Sequence, residues 1–575
     1  MLCQGSDEVR VLNGSTYRVI KVVRVGHIPR AFSFSADGHR LFVANSWDDT
    51  ISVIDTRTLN VSATWHAGAE PSGVATDAAD KYLFVANRIS DDVAVLDASS
   101  GVELKRLVAG RGASVITPSP DRKRMYVTHV YPNPNRADTA GGDRGIPQSE
   151  ITVIDADRAV VVDRIPLKAV AHGFHIGFSS DGRTGAVAEL HPKNLVPLAH
   201  LEHSGAFADT LTLFGSDVGQ PVEVPLDELQ RYASRPFGVV ISRDKSRMYV
   251  TCEGAEFVTV IDVPRLLEFA RSHPGSSARN LAASANYVIT RIPVGRDPRG
   301  VAFSPDGARL LVVNRLDDTI SVIDPNTNRV TRTIRLDGPA VINILRHGEQ
   351  TFYSSRYSFQ GQIGCANCHI DSTFDGLAWD LEPDGLGRDI VDNRLIEDLS
   401  GTEPFKWNGG NPNLPTECGP RTEKYFWRSE NYDDLTLTDL VVYIRHIPQR
   451  PNRWRQPDGT LTPAQERGKA LFERSIDKFG NPIAEANRCS YCHSGPKGTS
   501  QKSFEVGTGK TTDNSGLFDT PQLMNIALTA PYLHDGSAKT LEEIWTVFNP
   551  ADKHGRTNDL TKDELNDLIE YLRTR

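Results

Sequence analysis

Short apolar runs separated by turn residues recur through residues 10–340 of the chain. Each copy opens at a Pro or Gly, passes an Asp-Gly-like turn, and continues into one run of the LFVAN type and one of the ISVID type. The clearest copies have these runs at Leu41–Asn45 and Ile51–Asp55, at Leu83–Asn87 and Val93–Asp97, and at Val312–Asn314 and Ile320–Asp324. Strands rich in Val and Ile that repeat about every 40 to 60 residues between turns predict the blades of a β-propeller.

Six internal copies are visible, and a seventh blade can be completed from the two ends of the repeat region. We expect Val9–Leu12 and Tyr17–Val25 to pair with a strand near Ala340–Ile344, because an open ring would expose a sheet edge. The blade signature, written here as LFVAN, MYVT and LLVVN, resembles the YVTN family of seven-bladed propellers. This resemblance covers most of residues 10–344 and implies a fold but no chemistry.

Two long insertions interrupt the repeat, at Tyr131–Ser149 and His191–Gly205. Long loops on a rigid ring often carry binding residues. His191, His200 and His203 are therefore candidate metal ligands, although solvated histidines or histidines that face another domain would give the same pattern. We expect the propeller to act as a scaffold or recognition module.

Two Cys-x-x-Cys-His motifs lie in the second half of the chain. They consist of Cys365, Cys368 and His369 (CANCH) and of Cys489, Cys492 and His493 (CSYCH). Two cysteines that form thioethers and one axial imidazole are the attachment set of a c-type haem. A zinc site or a redox dithiol is the alternative, but a closed zinc site needs about four ligands. The motifs therefore predict two covalently bound haem c groups.

Helical patterns surround both motifs, and each unit ends in a helix. Thr561 and Glu564 predict a capping box at the start of the last helix, and a helix over Thr462–Glu473 begins in the same way. Helix, haem motif, loop and closing helix therefore occur twice, joined by a linker at Pro448–Asp458. This order is that of a class I cytochrome c.

These patterns predict a multidomain chain. We expect an all-β seven-bladed propeller over residues 1–344, followed by two mainly α-helical class I cytochrome c-like domains over residues 345–460 and 461–575. A length of 575 residues, with 39% hydrophobic and 24% charged residues, suits several globular domains. No run approaches the roughly 20 apolar residues of a membrane span. The net charge of −9 argues against nucleic acid or anionic lipid as a partner.

The second half resembles the di-haem cytochrome c peroxidase and MauG superfamily. The matching segments are Arg346–Phe352, the CANCH motif, Phe405–Gly409, the CSYCH motif, and Thr529–Gly536 followed by Thr540–Glu543. The resemblance covers essentially all of residues 345–575. It implies an oxidoreductase in which hydrogen peroxide oxidises the first haem and the oxidising equivalents reach a redox protein or a protein substrate.

The same resemblance implies roles for individual residues. Trp407 aligns with the tryptophan between the two haems and so implies an electron relay, although a buried aromatic beside haem is also ordinary packing. Glu417 and Glu423 are the nearest equivalents of the acid–base residues that move a peroxide proton. The spacing from the tryptophan to these residues differs from that of the family.

A calcium site is also implied by the resemblance. Asn393, with the backbone carbonyls of Thr529 and Pro531, matches the inter-domain calcium ligands of the family. An oxygen-rich set suits Ca²⁺, and water would have to complete its coordination.

The residues available as sixth ligands differ between the two haems. After the proximal His369, no other His occurs before His446, and no Met occurs in this half before Met524. A strong sixth ligand from the same domain is therefore not expected, and we predict an open, reactive iron at the first haem. Cys418, a Tyr, a Lys or a residue of the propeller could still approach this iron.

The second haem departs from the family pattern. The position that carries the distal Met or Tyr of the family is Phe548, which cannot bind iron. Met524, Tyr532, His534 and His554 are the candidates instead. Met524 and His534 rank first because Met524 is the only Met in the C-terminal half. His534 also fits a turn histidine within PYLHDG.

Haem attachment through this motif normally occurs outside the cytoplasm, so we expect a periplasmic or otherwise extracytoplasmic protein. The start MLCQGSDEVR has no basic segment followed by an apolar core. We expect that a signal peptide was removed or lies upstream. Cys3 has no lipobox before it, and Cys252 in MYVTC is expected to be a buried thiol.

The leading hypothesis is an exported di-haem enzyme of the peroxidase or MauG type, with the propeller holding a partner. The alternative is a non-catalytic electron-transfer cytochrome that relays electrons for a partner bound to the propeller. The resting haem spectrum and its response to peroxide distinguish the two.

Overall fold

The computed structural model describes residues 1–133, 147–196, 205–338, 341–381, 387–424 and 431–575. The N-terminal half is a seven-bladed β-propeller, as the repeat predicted. Each blade is an antiparallel sheet whose strands follow one another in chain order. Six blades have four strands and the first has three.

The blades follow the chain in order. Blades 1 to 3 comprise Leu2–Cys3, Glu8–Leu12 and Val19–Arg24; Pro29–Phe34, Arg40–Asn45, Thr50–Asp55 and Asn60–His66; and Pro71–Thr76, Tyr82–Asn87, Asp92–Asp97 and Glu103–Val108. Blades 4 and 5 comprise Ala113–Pro118, Arg124–His129, Gln148–Asp155 and Val160–Lys168; and His172–Phe178, Gly185–Pro192, Phe207–Gly215 and Gly219–Pro225. Blades 6 and 7 comprise Pro236–Ile241, Arg247–Cys252, Phe257–Asp262 and Val288–Pro293; and Pro298–Phe303, Leu310–Asn314, Thr319–Asp324 and Arg329–Arg335.

The asparagine that ends the LFVAN run explains part of the repeat. The Asn45 side chain is fully buried, and its amide donates to the hydroxyls of Thr50 at 3.0 Å and Ser52 at 2.9 Å on the next strand. Asn314 makes the same pair of bonds to Thr319 and Ser321. A buried side chain thus fastens the second strand of a blade to the third, which is why the LFVAN and ISVID runs recur together.

The ring closes differently from the sequence-based prediction. Residues 341–343 form no strand, a helix begins at Ile344, and Ala340 lies outside the described residues. Side chains connect the ends instead: Arg10 donates to the carbonyl of Leu336, and Arg309 donates to the Tyr17 hydroxyl at 2.6 Å. The predicted closing strand is therefore wrong over the described residues, because side-chain contacts already join blades 1 and 7.

The described helices of four or more residues lie in two places, apart from one 3₁₀ segment of a single turn. One helix lies within blade 6, and the others follow the propeller in the chain. They are Val263–Ser272, Ile344–Tyr353, Cys365–Cys368, Asp434–Arg445, Pro463–Glu473, Cys489–Cys492, Leu541–Thr546 and Lys562–Arg573, and a π-helical segment covers Glu417–Arg421. Two short hairpins pair Ala378–Trp379 with Val391–Asp392 and Ser503–Phe504 with Phe518–Asp519. The capping boxes predicted at Thr462 and Thr561 are both present.

The second half contains two helix crossings of the same kind. Ile344–Tyr353 packs on Asp434–Arg445, and Pro463–Glu473 packs on Lys562–Arg573. A Cβ on Gly348 would lie 2.0 Å from the Asp439 carbonyl, and one on Gly468 would lie 1.9 Å from the Asp567 carbonyl. Both crossings therefore require glycine, four residues before Phe352 and Phe472 respectively.

The segment between the two units is held on the propeller. Arg450 binds Glu397 at 2.5 Å and reaches Glu70 of the propeller at 3.5 Å. Arg453 donates to Asp49 at 2.9 Å. None of the described helices is long and apolar enough to cross a membrane.

Replacing Asn45 by Ala should lower the free energy of unfolding by about 1 to 3 kcal/mol, because Thr50 and Ser52 lose a buried donor. Asn60→Ala, on an exposed outer strand, is the matched control and should change it by less than about 0.5 kcal/mol. Chemical denaturation followed by circular dichroism measures both. Equal effects of the two substitutions would contradict this role of Asn45.

Candidate functional site

Both Cys-x-x-Cys-His motifs open into one internal cavity of about 430 Å³. Its wall is mainly apolar and includes all four cysteines and both histidines of the motifs. The four cysteines form no disulfide, and burial raises the pKa of each thiol. The two motifs, far apart in sequence, therefore face a shared interior space.

The first motif forms one helical turn, Cys365–Cys368, followed by His369. The Nδ1 of His369 lies 3.0 Å from the Thr373 carbonyl, to which it donates. Burial lowers the pKa of His369, against smaller opposing effects of this carbonyl and of the Glu417 carboxylate. The ring is therefore neutral at neutral pH and keeps its Nε2 for a metal.

The second motif repeats this arrangement. The Nδ1 of His493 donates to the Gly498 carbonyl at 2.9 Å, and burial lowers the pKa of the ring. The ring centroid of His554 lies 6.4 Å from that of His493, with an angle of 27° between the ring planes. Burial, and then the neighbouring His493, lowers the pKa of His554 to about 4. Two neutral imidazoles thus lie close together on the wall of the cavity.

The other predicted sixth ligands also line the cavity, but they differ in their contacts. Met524 and Tyr532 are wall residues. The Nε2 of His534 lies 3.1 Å from the Asp513 carboxylate, and its ring stacks on Phe518 at 4.0 Å. The sequence ranks His554 below Met524 and His534 as a sixth ligand. No sequence pattern indicates that the ring of His554 lies close to that of His493.

Two equivalent turns lie on the cavity wall, one from each unit. Isolated β-bridges close both turns over the same span, Phe405 with Asn411 and Tyr532 with Ala538. The second residue of each turn, Lys406 or Leu533, has a positive φ, at 69° and 71°. Trp407 and His534 therefore occupy matching positions in the duplicated units.

Each turn accepts a backbone hydrogen bond from the short hairpin of the other unit. The carbonyl of Trp407 accepts from the Asp519 backbone N–H at 2.7 Å, and the carbonyl of His534 accepts from the Asp392 backbone N–H at 2.7 Å. Each aspartate precedes the aligned turn residue of its own unit by 15 residues. The units are therefore joined reciprocally, with approximate two-fold symmetry.

Trp407 lies at the contact between the two units. Its indole Nε1 donates to the Asp392 carbonyl at 2.8 Å, and the guanidinium of Arg394 lies 5.0 Å from the ring centroid. The side chain lines the cavity that both motifs share. The ring thus contacts residues of the first unit, and the backbone carbonyl of Trp407 contacts the second unit.

The two predicted acid–base residues lie in different places. Glu417 is on the cavity wall, where it accepts from Asn411 and, at 2.6 Å, from Arg421. Glu423 is buried away from this wall and accepts from the Tyr432 backbone N–H at 2.8 Å. Of these two glutamates, Glu417 is the one that lies on the cavity wall.

The residues proposed for calcium lie near one another but make other contacts. The Asn393 amide donates to the Cys368 carbonyl at 2.7 Å and to Asp375 at 3.1 Å. Thr529 and Pro531 are wall residues on either side of Ala530, whose carbonyl accepts from Arg111 of the propeller. Within the described ranges, no group of three or more His, Cys, Asp or Glu side chains could hold a metal.

The candidate metal ligands in the second long insertion of the propeller are His191, His200 and His203. His191 is buried and its Nδ1 lies 2.8 Å from the Glu223 carboxylate. His200 and His203 lie outside the described residues. Cys252 is fully buried, as its strand context predicted, and Cys418 is buried on the cavity wall.

A carboxylate just after the first motif binds arginine side chains of the propeller. Asp371 lies 2.8 Å from guanidinium nitrogens of both Arg30 and Arg88 and 3.2 Å from one of Arg299. Burial alone would raise the pKa of the Asp371 carboxyl, but the three arginines together hold it well below its usual range. The propeller therefore contacts the loop that follows His369.

These residues fit a covalently attached haem. Paired thiols precede an imidazole whose Nδ1 is held by a backbone carbonyl, which is the usual arrangement of a metal-binding histidine. An apolar wall suits a porphyrin, and basic wall residues suit its carboxylates. The basic residues are Arg394, Lys406, Arg421, Arg488 and Lys553.

Comparison with known proteins gives a family-model match and several similar proteins. A family model described as the cytochrome D1 heme domain matches residues 1–139. Hydrazine synthase subunit gamma of Kuenenia stuttgartiensis is 31% identical over 288 residues, covering 41% of this chain and 78% of that protein. Cytochrome c551 peroxidase of Nitrosomonas europaea is 23% identical over 304 residues, covering 43% of this chain and 84% of that protein.

A second subunit of hydrazine synthase also matches. Subunit beta from Kuenenia stuttgartiensis is 26% identical over 178 residues, covering 30% of this chain. The chain spans 46% of that subunit. A solved structure of Kuenenia stuttgartiensis hydrazine synthase superposes with a TM-score of 0.50 at 24% identity, over 56% of this chain and 90% of that chain, which supports the fold.

A buried carboxyl beside the first motif should make stability depend on pH. Burial raises the pKa of Asp375 to about 7, above its value in the unfolded chain. Its contribution to stability is therefore complete below about pH 4 and is lost as the pH rises to about 7. Asp375→Asn should flatten this slope by up to about 1.4 kcal/mol per pH unit.

Urea unfolding between pH 4 and pH 8 measures the two slopes. Asp157→Asn, an exposed carboxyl of the propeller, is the control and should leave the slope unchanged. An Asp375→Asn slope equal to that of the unmodified protein would contradict the assignment.

Proposed function

The chain belongs to the family of haem proteins that includes hydrazine synthase subunit gamma, and from this premise we propose that it is a di-haem c-type oxidoreductase with a propeller as its recognition scaffold. The observation that carries the proposal is the shared cavity, where both motifs meet around Trp407. Each motif would hold one haem c through two thioethers. The bound haem would supply a redox-active iron, and the protein would supply its ligands and proton donors.

The proposed domain boundaries are residues 1–344 for the propeller and 345–460 and 461–575 for two class I cytochrome c-like domains. The matching crossings at Gly348 and Gly468 support two units of one design. Calcium at Asn393, Thr529 and Pro531 belongs to the same proposal. Arg111 brings a positive charge to the Ala530 carbonyl in this region.

The two haem sites would have different tasks. His493 and His554 face each other across a distance that leaves room for one metal ion, at imidazole–metal bond lengths of about 2 Å. We therefore assign His554, rather than Met524 or His534, as the sixth ligand of the second haem. A site with two histidine ligands suits electron transfer.

The first site would carry the chemistry. His369 is its proximal ligand, and Glu417 is the carboxylate on the cavity wall whose charge acts on that ring. Glu417 would accept a proton from hydrogen peroxide and return it to the departing oxygen. Arg421 would keep Glu417 oriented through the 2.6 Å bond.

Trp407 would carry electrons between the two sites. It contacts both units through its indole N–H and its backbone carbonyl. The electron donor would be a redox protein or an oxidisable protein side chain, brought close by the propeller. The proposed location is periplasmic or otherwise extracytoplasmic, because c-type haem attachment normally occurs there.

A specific observation favours a second candidate, a role in hydrazine chemistry. Subunits beta and gamma of hydrazine synthase match this one chain over 30% and 41% of its length. The propeller and the haem region would then combine in one polypeptide two parts that are separate subunits in that enzyme. Hydrazine release from small nitrogen compounds, measured beside peroxide consumption, separates the two candidates.

The resting protein should contain two haem c groups per chain, one high-spin and one low-spin. Addition of peroxide should change the spectrum, and Trp407→Phe should slow electron exchange between the two haems, because a phenyl ring is much harder to oxidise than the indole it replaces. Pyridine haemochrome assays, electron paramagnetic resonance and stopped-flow absorption make these measurements. Two low-spin haems that are inert to peroxide would support the non-catalytic electron-transfer alternative instead.

His554→Ala should convert the low-spin haem to high-spin, because the second haem would lose its sixth ligand. Met524→Leu is the matched control on the same cavity wall and should leave the low-spin signal intact. The measurement is electron paramagnetic resonance of the oxidised protein. A low-spin signal that survives in His554→Ala and disappears in Met524→Leu would overturn the assignment.

A further inference from the structure

The loop after the first proximal histidine has an unusual backbone. Asp371 and Ser372 have φ values of 50° and 63°. Residues other than glycine rarely adopt this left-handed region, and two in succession require contacts that hold them there. The loop therefore depends on its surroundings for its shape.

Those contacts come mainly from the propeller. Arg30 and Arg299 lie on the first strands of blades 2 and 7, and Arg88 follows a strand of blade 3. All three bind the Asp371 carboxylate, and the Arg88 side chain is only 1% exposed. Charge-assisted hydrogen bonds of this kind are stronger than neutral ones. Three blades thus converge on one side chain of the haem region.

The second residue of the loop is held by the haem region itself. The Ser372 hydroxyl lies 3.1 Å from the Tyr353 hydroxyl and 2.8 Å from the Tyr443 hydroxyl. These two tyrosines belong to the crossing helices of the first unit. Asp371 is therefore the charged contact between the propeller and the loop, beside the stacking of Tyr131 of the propeller on Phe374.

The next residue of the loop connects to the histidine. The carbonyl of Thr373 accepts the Nδ1 proton of His369 at 3.0 Å. The strength of this bond sets the orientation and basicity of the imidazole. Any movement of Asp371 would move this carbonyl, two residues away along the chain.

We infer that Asp371 is a positioning residue through which the propeller sets the His369–Thr373 hydrogen bond and thereby tunes the first haem. The inference rests on the proposed function, since it requires haem at the first motif. The propeller then has a second role besides recognition: it fixes the electronic state of the reactive site. Arg30, Arg88 and Arg299 are the propeller residues that exert this effect, because they bind the Asp371 carboxylate.

Asp371→Asn in the full haem-loaded chain tests the inference. Loss of the charged anchor should weaken the His369–Thr373 bond, lower the iron–histidine stretching frequency of the first haem and raise its reduction potential. The expected size is about a tenfold change in the ferrous-to-ferric ratio at a fixed potential, or about 59 mV for one electron. The second haem should keep its potential and serves as an internal reference.

Asp49→Asn is the matched control. Asp49 binds Arg453 at the same boundary between propeller and haem region, away from the first motif. This substitution makes the same charge change and should leave both haem potentials and the stretching frequency unaltered. An equal shift in both variants would overturn the inference.

Arg30→Lys is the second test, because it keeps the positive charge but loses the 2.8 Å guanidinium contact. A smaller shift in the same direction is expected, and it separates positioning from simple charge removal. Unchanged resonance Raman and redox properties of the first haem in Asp371→Asn would overturn the inference. So would loss of folding in both Asp371→Asn and Arg30→Lys while Asp49→Asn stays folded, since Asp371 would then be structural.

The proposed function can fail separately. If the unmodified protein holds no haem at the first motif, haem counting on a variant with both Cys365→Ala and Cys368→Ala shows no change from the unmodified protein. That result would refute the haem assignment, whatever the variants of Asp371 do.

Discussion

The reciprocal hydrogen bonds between each turn and the hairpin of the opposite unit are the constraint on which the site depends. Trp407 accepts from Asp519, and His534 accepts from Asp392, so each unit completes a backbone position of the other. Buried backbone groups need partners, and here the partners belong to the opposite unit. These bonds hold the two units together beside the cavity that both motifs line. Neither unit alone would form its wall.

The two units share a backbone framework but differ in the side chains that it carries. The crossings at Gly348 and Gly468 give the two units one framework, with backbones too close for any other side chain. The side chains placed on that framework are not alike, because Trp407 stands where the other unit has His534. The two haem motifs thus lie on similar backbone frameworks, and a few residues on the cavity wall make their surroundings different.

Much of the fold could be predicted from the sequence, because periodicity and capping are local. The repeat ending in Asn45 indicated blades, and the capping boxes at Thr462 and Thr561 marked helix starts. The closing strand near Ala340–Ile344 was wrong over the described residues, since the contact of Arg10 with Leu336 joins residues 326 positions apart in the chain and leaves no local pattern. The same limit applies to the site. The Cys-x-x-Cys-His motifs can be recognised in the sequence, but the short distance between the rings of His493 and His554 depends on packing in three dimensions.

The chain connection between the last blade and the helix at Ile344 has a consequence for the charged boundary. Buried ion pairs such as Arg450 with Glu397 and Asp371 with Arg88 bring specificity but little net affinity, because desolvation offsets much of their attraction. In a single polypeptide the two surfaces meet at a high effective concentration, set by the short connection rather than by protein abundance. Apolar contacts such as Tyr131 with Phe374 add to these ion pairs at the same boundary, and the stoichiometry of propeller to haem region is one to one by covalent structure.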